Sequence, residues 1–152
     1  MPKSINKAMP PRQQFGALCY RVTAKGKLRV LLITSRGIGR WIVPKGWPMR
    51  GRAPWEAARV EAWEEAGVRG DIVTKKIGSY DYDKWRPDDA PLPCQVDLFP
   101  LEVAYLEDKF PEADQRQRKW FSPEDAADLV MEPELAEILV SFRPKMLNST
   151  AN

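Results

Sequence analysis

Gly46 to Val68 reads GWPMRGRAPWEAARVEAWEEAGV, a stretch that opens with a loop carrying no acidic residue and closes with a helix crowded with them. Pro54 suits the first turn of a helix, alanines fill the interior, and Gly67 can adopt the left-handed conformation that ends it, so the spacing predicts a helix over Pro54–Ala66. Glu61, Glu64 and Glu65 stand at i, i+3 and i+4, which at about 100° per residue places three carboxylates within a sector of about 100°. Like charges at that spacing destabilise a helix by roughly 0.2–0.5 kcal/mol per pair. By itself the stripe fits either a solvated acidic face or a site for a hard divalent cation, which takes oxygen ligands. Residues 36–52, just upstream, add Arg36, Arg40, Lys45, Arg50 and Arg52 and no acid. Arginine forks match phosphate oxygens, so this cationic segment beside the carboxylate helix suits a metal–polyphosphate held between them; a plain basic surface loop is the alternative.

Composition narrows the chemistry. The 152 residues suit one domain, and a net charge of +3 with 30% charged and 43% hydrophobic residues describes a globular chain rather than a nucleic-acid wrapper. There is no histidine, which removes Ser-His-Asp and Cys-His nucleophilic sites and His-ligated zinc. Acid–base and metal chemistry must therefore use carboxylates. Cys19 and Cys94 are too far apart in sequence for a CxxC motif and sit in apolar strand patterns, which reads as packing. No apolar run approaches the about 20 residues of a membrane span, nor does a signal peptide open the chain, so a cytoplasmic protein with no membrane partner is expected.

Around the helix, residues 1–13 read as a flexible basic arm, 14–145 as a single domain, and 146–152, with Asn148-Ser149-Thr150, as a polar tail. Residues 15–22 and 28–34 read as strands of a hairpin turned at Ala24-Lys25-Gly26-Lys27, and Trp41-Ile42-Val43 as a third strand. Residues 71–79 and 94–105 are strand-like, with an irregular acidic loop expected over 81–93. After a short strand at 118–121, Ser122-Pro123 starts a helix, and a last helix runs from about Glu132 to Phe142. This order predicts an α/β or α+β class, with helices on a mixed sheet.

Gly46 to Val68 also resembles the Nudix box, Gx5Ex7REUxEExGU, where U is a bulky aliphatic residue, without a gap. Gly46 matches the opening glycine, Glu61, Glu64 and Glu65 the glutamates of REUxEE, and Gly67-Val68 the close. Two positions depart: Arg52 stands in place of the first glutamate and Val60 in place of the arginine, while Ala62 is small. Arg59 points about 160° away from Glu61 and is a poor substitute, which leaves Arg52 to supply the missing positive charge. Gly16 to Arg21, Thr34-Ser35-Arg36, Arg40 to Pro44 and Lys119-Trp120-Phe121 extend the resemblance to the diphosphoinositol polyphosphate phosphohydrolase branch, and Pro44-Lys45-Gly46 is similar to diadenosine polyphosphate hydrolases of the same superfamily.

The resemblance implies an α/β/α sandwich and a Mg²⁺-dependent hydrolase, with Mn²⁺ as the alternative ion, that cuts a small-molecule phosphoanhydride such as a diadenosine polyphosphate or an inositol pyrophosphate. It implies Glu61, Glu65 and the Lys45 carbonyl as metal ligands, and Glu64 as a further ligand or the base. Arg21 and Arg36 match phosphate-touching positions; Arg40, Lys45, Arg50 and Arg52 are candidates by position. Trp47, Trp55 or Trp63 are candidates to stack a base, Asp83 or Asp88 to add a ligand, and Asp97 or Glu102 to act as a further base. A nucleotide-binding module without turnover and an RNA 5′-end pyrophosphohydrolase are the competing readings, and homodimerisation is left open.

Overall fold

The computed structural model describes residues 10–144; residues 1–9 of the expected arm, residue 145 and the polar tail lie outside them. Among the described residues eight strands, β1 (Arg12–Val22), β2 (Leu28–Thr34), β3 (Trp41–Ile42), β4 (Lys45–Gly46), β5 (Val68–Ile72), β6 (Gly78–Lys84), β7 (Leu92–Leu106) and β8 (Arg118–Phe121), form one sheet. Three helices among the described residues, α1 (Pro54–Ala66), α2 (Pro123–Leu129) and α3 (Pro133–Ser141), complete the α+β fold. Strand β1 is central: it runs parallel to β7 and antiparallel to β2 and β4, which makes the sheet mixed. Arg12 and Gln13, expected in the arm, are paired with Cys94 and Gln95 and belong to the sheet.

Alternation along the strands builds two cores. Ala17, Cys19, Leu31, Ile33, Phe99 and Leu101 face α1, whereas Leu18, Tyr20, Val30, Leu32, Val96 and Leu98 face α2 and α3. The period of two thus buries both faces, as a sandwich requires. Helix α1 meets the sheet through Ala58, Ala62 and Ala66, all fully buried. The small side chains let the helix lie close to the sheet, which brings its carboxylates within reach of β4. Gly67 ends α1 at φ 68°, and Ser122 caps α2 by accepting from the Asp125 N–H at 3.1 Å.

Two strand expectations need correction. Residues 71–79 are not one strand: β5 and β6 pair with successive stretches of β7, and the ladder breaks over 73–77 near Pro100, which has no N–H to donate. The acidic loop is also shorter than expected, 85–91 rather than 81–93, because β6 continues to Lys84 and β7 starts at Leu92. Tyr80 and Tyr82 turn towards the core while Asp81 and Asp83 turn outward, a half-buried alternation that the aspartates disguise as loop composition.

Candidate active site

The N-terminal part of β1 pairs with β4, Phe15 to Gly46 and Gly16 to Lys45, and this pairing presses the loop before α1 against the helix. The Lys45 N–H donates to Glu65 Oε1 at 3.2 Å. A Cβ on Gly46 would collide with the Glu61 carboxylate, so glycine there is a spatial requirement of the acidic face. Glu61 and Glu65 therefore sit against β4 at one end of a cleft of about 680 Å³.

Two further residues complete that end, and both come from residues 111–117. Arg116, whose side chain is only 7% exposed, places Nη2 3.5 Å from Glu65 Oε2 and Nε 2.9 Å from Glu112 Oε1, while Nη1 donates to the Thr34 carbonyl at 3.1 Å. The Glu112 N–H donates to the Glu64 carbonyl at 3.0 Å, which ties this segment to the end of α1. Sequence reasoning missed both residues because nothing in the spacing of 111–117 links them to the helix. Arg116, not Arg52, supplies the positive charge at the carboxylates: Arg52 instead lies 3.7 Å from Glu56 on the outer side of the helix, where Arg59 also pairs at 2.8 Å.

The carboxylates are electrostatically crowded. Burial, and then the neighbouring Glu65, Glu64 and Glu112, raise the Glu61 pKa to about 8, and its carboxyl lies within hydrogen-bonding reach of Glu65. Burial also raises Glu65, against the pull of Arg116 and Lys45. Among the described residues no three acidic side chains are grouped closely enough to cage an ion unaided. The donor set nevertheless fits a small hard divalent cation, which typically takes one or two carboxylates and completes its shell with water and substrate phosphate.

Cations line the same cleft. Arg36 donates to Gln115 Oε1 at 3.1 Å, and Arg40, Lys45 and Lys84 join it. Burial lowers the Lys45 pKa to about 8, opposed by Glu65 and Glu132, and Lys45 Nζ stands 4.8 Å from the Tyr82 ring centre. In all, five cations (Arg36, Arg40, Lys45, Lys84, Arg116) and four carboxylates (Glu61, Glu65, Asp83, Glu112) line the cleft. Ile38, Trp47 and Trp85, 85%, 38% and 75% exposed, add an apolar rim.

Several expected residues stand elsewhere. Arg21 stacks over Trp120 at 4.3 Å, near the opposite end of β1 from Gly16, and Arg50 and Arg52 are exposed outside the cleft lining. Glu64 flanks the site without lining it. Asp97 is held by Ser79 at 2.7 Å and Lys76 at 3.4 Å, and neither it nor Glu102 nor Asp88 reaches the cleft. Trp55 packs with the α1-side core and Trp63 against Phe110 and Arg69, leaving Trp47 of the three at the cleft. Both cysteines are buried, and burial pushes the Cys19 thiol up to about 12, as packing residues behave.

Comparison with known proteins places this geometry in a family. Nudix hydrolase 21, chloroplastic, of Arabidopsis thaliana is 33% identical over 86% of this chain and 66% of its own length. Diphosphoinositol polyphosphate phosphohydrolase 3-alpha of Mus musculus is 30% identical over 87% of this chain and 78% of its own. The chain spans about half to two thirds of the length of the plant relatives it matches. Among solved structures, the C. elegans Ap4A hydrolase superposes with a TM-score of 0.61 at 25% identity, over 86% of this chain and 94% of that one. Among the described residues no helix is long and apolar enough to cross a membrane. The NUDIX domain model matches residues 12–142, from the first residue of β1 to the residue after α3, and the chain belongs to that family.

Proposed function

We propose that the protein is a Mg²⁺-dependent hydrolase of small-molecule phosphoanhydrides, and that its substrate is a nucleoside polyphosphate such as a diadenosine polyphosphate. The observation that carries this reading is that Glu61, Glu65 and Glu112 line the same cleft as Arg36, Arg40, Lys45 and Lys84. A relative named for diphosphoinositol polyphosphates and a neighbour named for Ap4A bracket the substrate class. The cleft favours the nucleotide: Glu65, Asp83 and Glu112 offset part of its positive charge, and its rim is Ile38, Trp47 and Trp85. A densely phosphorylated inositol needs many uncompensated cations, whereas a nucleobase gains from an exposed aromatic surface.

Glu61 and Glu65 would hold the ion with the Lys45 carbonyl, and Glu64 adds negative charge beside them. When bound, such an ion polarises phosphoryl oxygens and makes water a better nucleophile at neutral pH. Glu112 faces the pair and is oriented by Arg116, so it replaces Glu64 as the group assigned to accept the proton of the attacking water. Arg36, Arg40 and Lys45 orient the phosphates, and the positive charge of Arg40 and Lys45 stabilises the leaving group as the anhydride opens.

Incubation with diadenosine tetraphosphate, an inositol pyrophosphate, a nucleoside triphosphate and 5′-triphosphate RNA, with and without Mg²⁺, tests the reading when products are resolved. Mg²⁺-dependent cleavage with diadenosine tetraphosphate preferred is the expected result. Metal-independent turnover would reject the Mg²⁺ dependence, and no turnover with any of the four would reject the hydrolase; preference for the inositol compound would reject the nucleotide assignment.

A further inference from the structure

Arg40, which lines the cleft, forms an ion pair that the proposed reaction does not explain. Arg40 Nη1 stands 2.8 Å from Glu132 Oε2, with the two side chains 22% and 8% exposed. The pair is within ionic contact but not aligned for a hydrogen bond, and Arg40 Nη1 and Glu132 Oε1 are both buried without a hydrogen-bond partner. Burying two charges costs several kcal/mol per ion unless their geometry and remaining hydrogen bonds are excellent, and here they are not. Glu132 also occupies the N-cap of α3 without capping it, since its side chain makes no bond to the helix N–H groups. Its carboxylate is turned to Arg40 instead.

Both ends of this pair are rigidly mounted. Pro133 follows Glu132 at the first position of α3, and the helix is anchored by the fully buried Leu135 and Leu139. At the other end, the Ser35 N–H donates to the Arg40 carbonyl at 2.7 Å and the Arg40 N–H to Ser35 Oγ at 3.0 Å, which closes the loop that carries Arg36 and Ile38. An arginine side chain carries about 2 kcal/mol of rotamer entropy when free. Held by Glu132 through one nitrogen, the guanidinium lines the cleft with its remaining donors already ordered.

The geometry points to Glu132 as a positioning residue that acts through Arg40, fixing its guanidinium in the cleft to receive a diphosphate. This rests on the phosphoanhydride reading of the same cleft. Its test is an affinity rather than a turnover, so the two can fail separately.

The probe is methylenediphosphonate, which has no anhydride to cleave, titrated calorimetrically in the presence of Mg²⁺. Glu132→Gln, which keeps the shape and removes the charge, is expected to weaken its binding roughly three- to tenfold, the range for one side chain that must be ordered on binding. Mg²⁺ affinity without the probe stays within twofold of wild type. Arg40→Gln weakens the probe at least as much, and adding Glu132→Gln to Arg40→Gln has no further effect. Glu132→Asp, which retains the charge, lies between wild type and Glu132→Gln and carries the test if the glutamine variant does not fold. Unchanged or tighter binding in Glu132→Gln, or an effect that adds in full on Arg40→Gln, would overturn the assignment. Probe binding that responds as expected in a protein with no turnover would retain the clamp and remove the hydrolase.

Discussion

The carboxylates and the cations of the cleft, its acidic and cationic sides in charge, are assembled on different principles. The acidic side takes Glu61 and Glu65 from one regular helix, where a four-residue spacing fixes their mutual geometry before any tertiary contact forms. The cationic side draws Arg36 and Arg40 from the loop after β2, Lys45 from β4 and Lys84 from the end of β6. A metal requires ligands held to fractions of an ångström, and a helix supplies that. A flexible chain of phosphates tolerates looser partners, and charges gathered from several segments suffice.

The sharpest way to break this contrast is to remove a carboxylate from the helix. Glu65→Gln should lower Mg²⁺-dependent turnover by about 100-fold or more, since even residues one shell outside a metal change affinity or activity 10–100-fold. Circular dichroism should show the fold retained, because the glutamine is isosteric and still accepts from the Lys45 N–H. Undiminished turnover would remove Glu65 from the site and make the acidic side ordinary surface. Gly46→Ala approaches the same end sterically: the new methyl group enters the space of the Glu61 carboxylate, and metal affinity should fall with no charge altered.

Arg116 tests whether the helix is sufficient alone. It bridges Glu65 and Glu112 while almost fully buried, so Arg116→Gln leaves two carboxylates without their cation. Losing one partner of a buried ionic network costs about 3–5 kcal/mol, and metal affinity should fall about 10–100-fold. Added Mg²⁺ should recover part of the lost thermal stability, because the ion replaces some of the missing positive charge. A variant as stable as wild type, with the same Mg²⁺ affinity, would show that the helix geometry needs no outside support.

How much of this was legible in the sequence follows from the same contrast. The glutamate stripe, the flanking glycines and the helix boundaries were all readable because they are local: spacing along one element decides them. The hairpin and the Ser122 cap were readable for the same reason. Glu112 and Arg116 were invisible because the helix residues they reach, Glu64 and Glu65, lie tens of residues away and only the fold joins them. Arg52 attracted the role that belongs to Arg116 through its closeness in sequence, yet one turn of helix points it at Glu56. Residues 81–84, the second half of the strand that carries Tyr80 and Tyr82, read as loop because the outward residues are aspartates, so composition outweighed periodicity.

A third test uses pH in the absence of metal. The folded protein holds the Glu61 proton up to about pH 8, whereas an unfolded carboxyl releases it near its ordinary value of 4.5. Between those values the folded state binds more protons than the unfolded one, so stability falls as pH rises from 4.5 towards 8. Glu61 is partly open to solvent, which screens the effect, so a modest decline in Tm is expected in chelator. Saturating Mg²⁺ should flatten the slope, because the ion favours the ionised carboxylate. A Glu61→Gln variant should show a flatter profile even in chelator. Equal slopes in wild type and variant would mean that the crowding of the acidic side carries no free energy.

The smallest expected effect lies among the cations, at the exposed Arg36. Arg36 is at the surface and bound to Gln115, so its removal resembles loss of an exposed ion pair, about 0.2–1 kcal/mol. Arg36→Ala should therefore raise KM for diadenosine tetraphosphate only about 1.5- to fivefold, with kcat little altered, since the loss falls on binding rather than on bond cleavage. The difference between variant and wild type should shrink as salt rises from 0.1 M to 1 M, because the Debye length contracts from about 10 Å to about 3 Å. Screening weakens a diffuse field far more than a buried bond, so a salt-independent difference would place Arg36 in direct, desolvated contact with phosphate. The cationic side would then be as tightly built as the acidic one, and the distinction between helix-borne precision and gathered charge would disappear.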